Sequence, residues 1–265
     1  MNENNDIKKS EREWQDVYGG ELQEKSYGRP GTRVVLDRQF AQIAKSLNIG
    51  PGMKILDIGC GMGHLLSWFS KLYSAEYFGI DLSLNTIKSA RGNNPSFKLI
   101  VADAENISVK GQSFDRVVIN GVGHHFLNPS AAFREIYRIM APSGILVMYE
   151  PVSTFIPQVM RKLFVQNDKL ESPADLSQKE DFTRESLQKA LAEAGFTDIS
   201  SGFHDFLAYP LSGMYMDFPL GRSERAMKFL CWAENNLERL PFLKPVFDCF
   251  SYRLLVRAVK PGRTV

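Results

Sequence analysis

The sequence lacks a surplus of charge, an apolar span and paired cysteines. Its 32 basic and 30 acidic residues leave a net charge of +2 in 265 residues, which does not favour a nucleic-acid-binding protein. Cys60, Cys231 and Cys249 form no CxxC pair, and an odd number of cysteines favours free thiols in a reducing compartment. No apolar run approaches the ~18–20 residues that span a bilayer, and the polar N-terminus lacks the apolar core of a secretion signal. We therefore expect a cytoplasmic protein with no transmembrane segment.

The chain does contain apolar strands that alternate with amphipathic helices. Leu36, Phe40, Ile43, Ala44 and Leu47 recur at helical spacing, and Asn128 with Pro129 is typical of a helix start. Strands that are apolar throughout predict a parallel sheet covered on both faces, and hence an α/β fold. The fifth strand is expected to follow a turn, "APSG". The seven predicted strands are residues 53–58, "EYFGIDLS", "FKLIVAD", "FDRVVIN", "GILVMYEP", "TDISSGF" and "SYRLLVRAV".

Two segments interrupt this alternation, at about 152–180 and 207–248. Both are rich in aromatic residues, methionine and proline. Long connections in a compact domain are functional lids or disordered segments, and the apolar content here favours ordered cover. We therefore divide the chain into an N-terminal cap segment, 1–35, and one domain, 36–265, with two cap-forming insertions.

A glycine turn follows the first strand in "KILDIGCGMGHL", Lys54–Leu65. Gly59, Gly61 and Gly63 allow the backbone to pass close to a ligand, although a tight strand-to-helix turn alone would also use them. A dinucleotide requires G-x-G-x-x-G/A, and His64 occupies the third position of that fingerprint. The dinucleotide interpretation is therefore weak, and Asp57 before the turn disfavours a phosphate.

S-adenosylmethionine suits the same turn better, because it carries an ammonium and a sulfonium in place of phosphate. Asp57 can accept a charge-assisted hydrogen bond from the ammonium. Asp81, at the end of the second strand, can accept from the ribose hydroxyls. Asp103, after the third strand, can accept from the adenine amine. A helix cap or a turn is the alternative role for each aspartate.

These motifs together resemble the class I S-adenosylmethionine-dependent methyltransferases, in the style of the ubiquinone/menaquinone-biosynthesis type. "LDIGCGMG", "GIDLS", "VADAENI", "FDRVVINGVGHHF" and "AFREIYRIMAPSGILVMYEP" match that family's blocks across about residues 36–150. The resemblance implies a Rossmann-like, mostly parallel seven-stranded sheet whose seventh strand is antiparallel. It also implies that Leu82 forms an apolar wall for the adenine and that Ala104 offers its backbone. We add Asn120, which ends the fourth strand, as a cofactor-binding residue.

Three residues near the ends of the fourth and fifth strands are candidates for proton transfer. His124 and His125 lie where the family's acceptor meets the methyl group, and histidine titrates near the working pH. Their alternative role is packing, or holding the loop. Glu150 faces the same space, where it binds or deprotonates the acceptor or forms a structural ion pair.

Several segments could cover the site or touch a membrane. Related enzymes fold an N-terminal segment over the cofactor, and here that segment carries Trp14, Tyr18 and Tyr27; a peripheral helix is the alternative. "FIPQVMRKLFVQ" and "SERAMKFLCWAENNLERL" are amphipathic, which suits peripheral membrane contact or, more commonly, packing on the protein's own domain. We predict a lid over the acceptor pocket from Leu207–Asp248, including Tyr209, Met214, Tyr215, Met216 and Phe218.

The expected activity is methyl transfer to a small-molecule or lipid-like acceptor through in-line displacement. The sulfonium makes the methyl group electrophilic, so no metal is required, and positioning is the main task of the protein. The acceptor atom, oxygen, nitrogen or carbon, and the oligomeric state are left open. A non-catalytic S-adenosylmethionine-binding protein of the same fold is the main alternative, and a dinucleotide oxidoreductase is a more distant one.

Overall fold

A seven-stranded sheet forms the centre of the protein. The computed structural model describes residues 3–20, 24, 27–152, 154, 173, 182–212, 219–240 and 242–262. The strand order is β3-β2-β1-β4-β5-β7-β6, and the predicted α/β class is confirmed. The strands are β1 (Lys54–Ile58), β2 (Glu76–Asp81), β3 (Lys98–Val101), β4 (Phe114–Asn120), β5 (Met140–Pro151), β6 (Thr197–His204) and β7 (Arg253–Val259).

The sheet is parallel except at β7, as the family resemblance implies. β1 pairs in parallel with β2 and β4, β2 with β3, and β4 with β5. β7 runs antiparallel between β5 and β6. The carboxyl ends of the parallel strands therefore meet at one edge, where folds of this kind bind ligands.

Helices cover both faces because each presents one apolar stripe to the strands. Leu36, Phe69 and Ile87 belong to helices on one face, whereas Phe133 and Leu187 belong to helices on the other. The helices are α1 (Glu3–Trp14), α2 (Pro30–Leu47), α3 (His64–Ser70), α4 (Leu84–Asn93), α5 (Pro129–Ile139), α6 (Arg184–Glu193), α7 (Ala208–Leu211), α8 (Glu224–Leu237) and α9 (Lys244–Asp248). Within the described ranges, no helix is long and apolar enough to cross a membrane.

Two predicted boundaries differ from the structure. α2 begins at Pro30, so it runs without a break through the proposed division between 35 and 36. β5 begins at Met140, ahead of the predicted turn. The turn residues remain tied to the sheet, because Met140 pairs with Phe114 and the Ser143 N–H donates to the Lys260 carbonyl.

The second insertion is anchored to the body of the domain by α8, which packs along α2. Its buried side chains include Met227 and Cys231, which join Val35 and Tyr209 in a small apolar cluster. Most of the first insertion lies outside the described residues. Four residues of the predicted lid also lie outside them, and the lid stays a prediction: Met214, Tyr215, Met216 and Phe218.

A buried charge cluster reinforces this anchor. The Arg38 guanidinium donates to Asp205 Oδ1 and to Glu238 Oε1, each at 2.7 Å, and lies 3.3 Å from Glu234 Oε1. The Tyr149 hydroxyl donates to the same Asp205 carboxylate at 2.9 Å. Glu234 also accepts the first N–H groups of the α7 region, so α2, β5 and the second insertion share one polar network.

Candidate active site

A cavity of about 190 Å³ opens at the carboxyl ends of β1–β4. Its wall is formed by the turns that follow these strands and by the N-terminal helix α1. Six predicted cofactor residues and one predicted proton-transfer residue line it together. They are Gly59, Asp81, Leu82, Asp103, Ala104, Asn120 and His125.

The glycine turn requires glycine for two separate reasons. Gly59, Gly61 and Gly63 have φ values of 70°, 51° and 78°, in the left-handed region that glycine adopts without strain. A Cβ at Gly59 would also lie 2.5 Å from Val122 Cγ1. The turn after β1 therefore fits tightly against the turn after β4, and Gly63 caps α3.

The two aspartates at the ends of β1 and β2 lie in different positions. Asp57 is buried and is not part of the cavity wall; burial, with the charge of Asp81, raises its pKa well above the usual range. Asp81 lines the cavity. Burial raises its pKa as well, although the N–H groups of Ser83 and Gly61 and the Thr86 hydroxyl, all donors to its carboxylate, oppose that shift.

The helix α1 forms one wall of the cavity, and the sequence predicted this wall only as one of two alternatives. Ile7, Lys8 and Glu11 face the cavity. Lys8 Nζ donates to Asp103 Oδ2 and to Glu105 Oε2, each at 2.6 Å. Burial by itself lowers the pKa of Lys8, but the hydrogen bonds and charges of the two carboxylates raise it overall. The N-terminal cover was one of two predicted alternatives, yet a single lysine in a polar segment gave no signal of its role.

Glu150 holds the turn that carries both histidines. Its carboxylate is fully buried and accepts the N–H groups of Val122 at 3.3 Å, Gly123 at 3.0 Å and His124 at 3.3 Å. His124 Nδ1 lies 3.0 Å from Glu150 Oε2. These contacts favour the structural alternative for Glu150, which is not part of the cavity wall.

The two histidines point to different partners. Because an ionised carboxylate can only accept, the Nδ1–H of His124 is the donor in this contact with Glu150. The His125 ring lies 4.1 Å from the His124 ring, and its Nδ1 lies 3.7 Å from Glu11 Oε1 of α1. His124 is thus oriented by the sheet, whereas His125 contacts the N-terminal cover.

Aromatic side chains lie beside the glycine turn and beside the start of β7. The Tyr27 ring stacks on His64 at 4.1 Å, and burial with the nearby Asp57 raises the pKa of Tyr27 to about 12. On the other side, Arg253 Nη2 donates to the Tyr209 hydroxyl at 2.6 Å and its guanidinium lies over Gly121. Arg253 was not predicted, because a lone arginine at the start of a strand is no motif.

Comparison with known proteins agrees with this geometry. Residues 56–148 match the family model described as a methyltransferase domain. The ubiquinone biosynthesis O-methyltransferase of Rhodopseudomonas palustris is 34% identical over 115 residues, covering 42% of this chain and 45% of that protein. The probable tRNA methyltransferase 9B of Mus musculus is 33% identical over 135 residues, covering 50% of this chain and 26% of that protein. The chain spans less than half the length of these curated relatives.

A solved structure shares the fold. Phosphoethanolamine N-methyltransferase 2 of Haemonchus contortus, in complex with S-adenosyl-L-methionine, superposes with a TM-score of 0.64 at 19% identity, covering 96% of this chain and 60% of that one. The predicted Rossmann-like fold is confirmed, as is S-adenosylmethionine as the cofactor of the family. From the matching residues 56–148, the sheet order and the cavity at the strand ends, we conclude that this chain contains a methyltransferase domain of the class I S-adenosylmethionine-dependent type.

Proposed function

We propose that this chain transfers a methyl group from S-adenosylmethionine to a small-molecule or lipid-like acceptor. The observation that carries the proposal is the convergence of six predicted cofactor residues on one cavity at the strand ends. The names of two similar proteins, which refer to ubiquinone biosynthesis and to phosphoethanolamine, support an acceptor of this size.

The residues of the cavity fit this cofactor in charge and shape. The cofactor supplies an electrophilic methyl group on a sulfonium. The carboxylates of Asp81 and Asp103 suit its hydroxyl and amine donors, and Leu82 and Phe126 provide apolar wall for a base. A carboxylate has about four acceptor positions, and three donors already occupy Asp81. The Asp81 carboxylate can therefore accept a hydrogen bond from one ribose hydroxyl. The second ribose hydroxyl would have to share an acceptor position with a donor that is already bound.

Asp103 binds the adenine amine in this proposal only after a change of partner. Its Oδ1 accepts the N–H of Glu105 at 2.9 Å, and its Oδ2 is taken by Lys8. An adenine amine would therefore have to displace the Lys8 ammonium from Asp103 Oδ2 or share that oxygen with it. Asp57 lies buried behind the glycine turn without lining the cavity; burial opposes its ionised form, and the cationic end of the cofactor would favour that form in the bound state.

His124 is the proposed general base where the acceptor carries a proton, and Glu150 is its positioning residue. The contact between Nδ1 and Glu150 orients the ring, and in this proposal Nε2 accepts the proton of the acceptor. Since a buried carboxylate also stabilises the imidazolium that forms, the pair works as a unit. His125 has a separate role in this proposal, in contact with α1.

The experiment offers methyl-labelled S-adenosylmethionine and three separate acceptor pools: polar metabolites, lipids and transfer RNA. We expect label in the metabolite or lipid pool, identified by product mass, and much less label with Asp81→Ala when S-adenosylmethionine is limiting. Label in transfer RNA alone would contradict the acceptor class. Calorimetric binding of S-adenosylmethionine with no transfer to any pool would favour the non-catalytic alternative.

A further inference from the structure

The helix α8 has two apolar faces, and packing on the domain explains only one. Met227 and Cys231 are buried against the body. On the opposite side, Phe229 and Trp232 are 63% and 61% exposed, with their rings stacked at 5.8 Å. A helix that only covers its own domain keeps its outer face polar, so this second face requires another explanation.

The exposed apolar residues continue beyond α8. Phe242, Val246 and Phe250 are spaced by four residues around α9, and Phe242 is 73% exposed. Among the described residues, thirteen large apolar side chains are exposed and seven lie between Leu220 and Phe250. This concentration along the chain favours an interaction site, whereas single exposed apolar residues are ordinary. We call Phe229, Trp232, Leu240, Phe242, Val246 and Phe250 the α8–α9 surface.

Positive charge accompanies the α8–α9 surface. Five exposed basic side chains lie between residues 219 and 250: Arg222, Arg225, Lys228, Arg239 and Lys244. Three acidic side chains lie at the surface of the same stretch: Glu224 pairs with Lys228, Asp248 pairs with Lys244, and Glu238 is held by Arg38. The five basic side chains therefore still outnumber the acidic ones, although two of them are paired. Aromatic residues beside lysine and arginine are typical of helices that lie in the headgroup region of a membrane.

We propose that the α8–α9 surface docks on an anionic lipid bilayer. Phe229, Trp232 and Phe242 enter the boundary between headgroups and acyl chains, and the flanking basic side chains contact lipid phosphates. A second copy of the chain fits less well, because a two-fold interface would bring the same positive charges together. Docking requires no methyl transfer, so this proposal is independent of the proposed function.

Vesicle cosedimentation tests the proposal with the full chain. The probes are pure phosphatidylcholine vesicles and vesicles of roughly 7:3 phosphatidylcholine and phosphatidylglycerol, since the anionic lipid is the variable of interest. We expect sedimentation with the anionic vesicles only, and release by salt as the charges are screened. The double variant Phe229→Ser/Trp232→Ser should lose about tenfold or more in binding.

The matched control is Leu72→Ser/Ile100→Ser, because both residues are exposed apolar side chains outside the α8–α9 surface. This control should bind like wild type, and both double variants should keep the wild-type melting temperature. Trp232 gives a second readout: the fluorescence difference between wild type and Trp232→Phe should shift to the blue on the anionic vesicles. Equal binding by the two double variants, or a dimer in sedimentation equilibrium that Phe229→Ser/Trp232→Ser dissociates, would overturn the proposal.

Discussion

Replacing Arg38 by methionine should measure how much one guanidinium contributes to the stability with which the second insertion is attached to the domain. Arg38 is buried and faces three carboxylates, of which Asp205 and Glu234 are fully buried. Methionine keeps most of the side-chain volume but removes the charge. The variant therefore leaves two buried carboxylates without their cation. This lowers the free energy of unfolding far more than replacing the whole cluster would.

The magnitude of this effect should depend on pH. Removing one partner of a buried ion pair costs about 3–5 kcal/mol of unfolding free energy, and we expect that cost at pH 8. Burial raises the pKa of Glu234 from 4.5 to about 7, against the opposing charge of Arg38. Protonated Glu234 therefore favours the folded state; this contribution is complete below about pH 4.5 and is lost as pH rises through about 7.

Without Arg38 the pKa of Glu234 rises further, so acid partly rescues the variant. Each unit of pKa change corresponds to about 1.4 kcal/mol, and we expect the cost of Arg38→Met to be about 1–3 kcal/mol smaller at pH 5 than at pH 8. Urea unfolding of wild type and variant at both pH values measures it. Arg33→Met, which removes an exposed arginine from the same helix, is the matched control.

Two results would refute this reasoning. A cost of less than about 1 kcal/mol at pH 8 would mean that the carboxylates are solvated in solution. An equal cost at both pH values would mean that Glu234 does not titrate between them. A triple variant, Arg38→Met/Asp205→Asn/Glu234→Gln, should recover much of the stability, since no buried charge is then left alone.

The remaining predictions concern the cavity. Asp81→Ala should weaken S-adenosylmethionine binding in calorimetry by roughly 1.5–3 kcal/mol, and saturable NAD binding that depends on Gly59 would contradict the cofactor. His124→Ala should lower turnover by about a hundredfold at unchanged cofactor affinity, and Glu150→Gln should act in the same direction; full turnover in both would leave these residues only structural roles. Lys8→Met should raise the preference for S-adenosylmethionine over its neutral demethylated product by about fivefold, because a nearby cation is removed; an unchanged ratio would place Lys8 outside the electrostatics of the site.

The grouping of residues around the cavity was predictable because its signals are local. Asp81 and Gly59 each follow an apolar strand, and a parallel sheet brings such strand ends to one edge. The positions of the motifs at successive strand ends therefore predicted that they lie side by side. Most of the predicted site residues do line the cavity. The fifth strand was misjudged at its start, since "APSG" has turn composition although Met140 pairs with Phe114.

The remaining features depend on contacts between distant residues, which no local pattern encodes. Lys8 meets Asp103 across 95 positions, and Arg38 meets Asp205 across 167. Glu150 was expected to face the acceptor, but its position relative to the turn after β4 depends on the pairing of β4 with β5. Amphipathicity predicted that α8 packs on the domain, and it could not show that a second apolar face remains outside.

The position of β7 between β5 and β6 has a consequence for the order in which the protein assembles during synthesis. β6 pairs with β7, which is separated from it by residues 205–252. β6 therefore cannot pair until the second insertion and β7 have been translated, whereas β1–β5 can already pair among themselves. The buried edge of β5, with Tyr149 and Met148, stays uncovered during that interval and is a surface for chaperones or misassembly. The part of the sheet beside the cavity can thus form early, whereas the part that holds Arg253 and Asp205 is completed last.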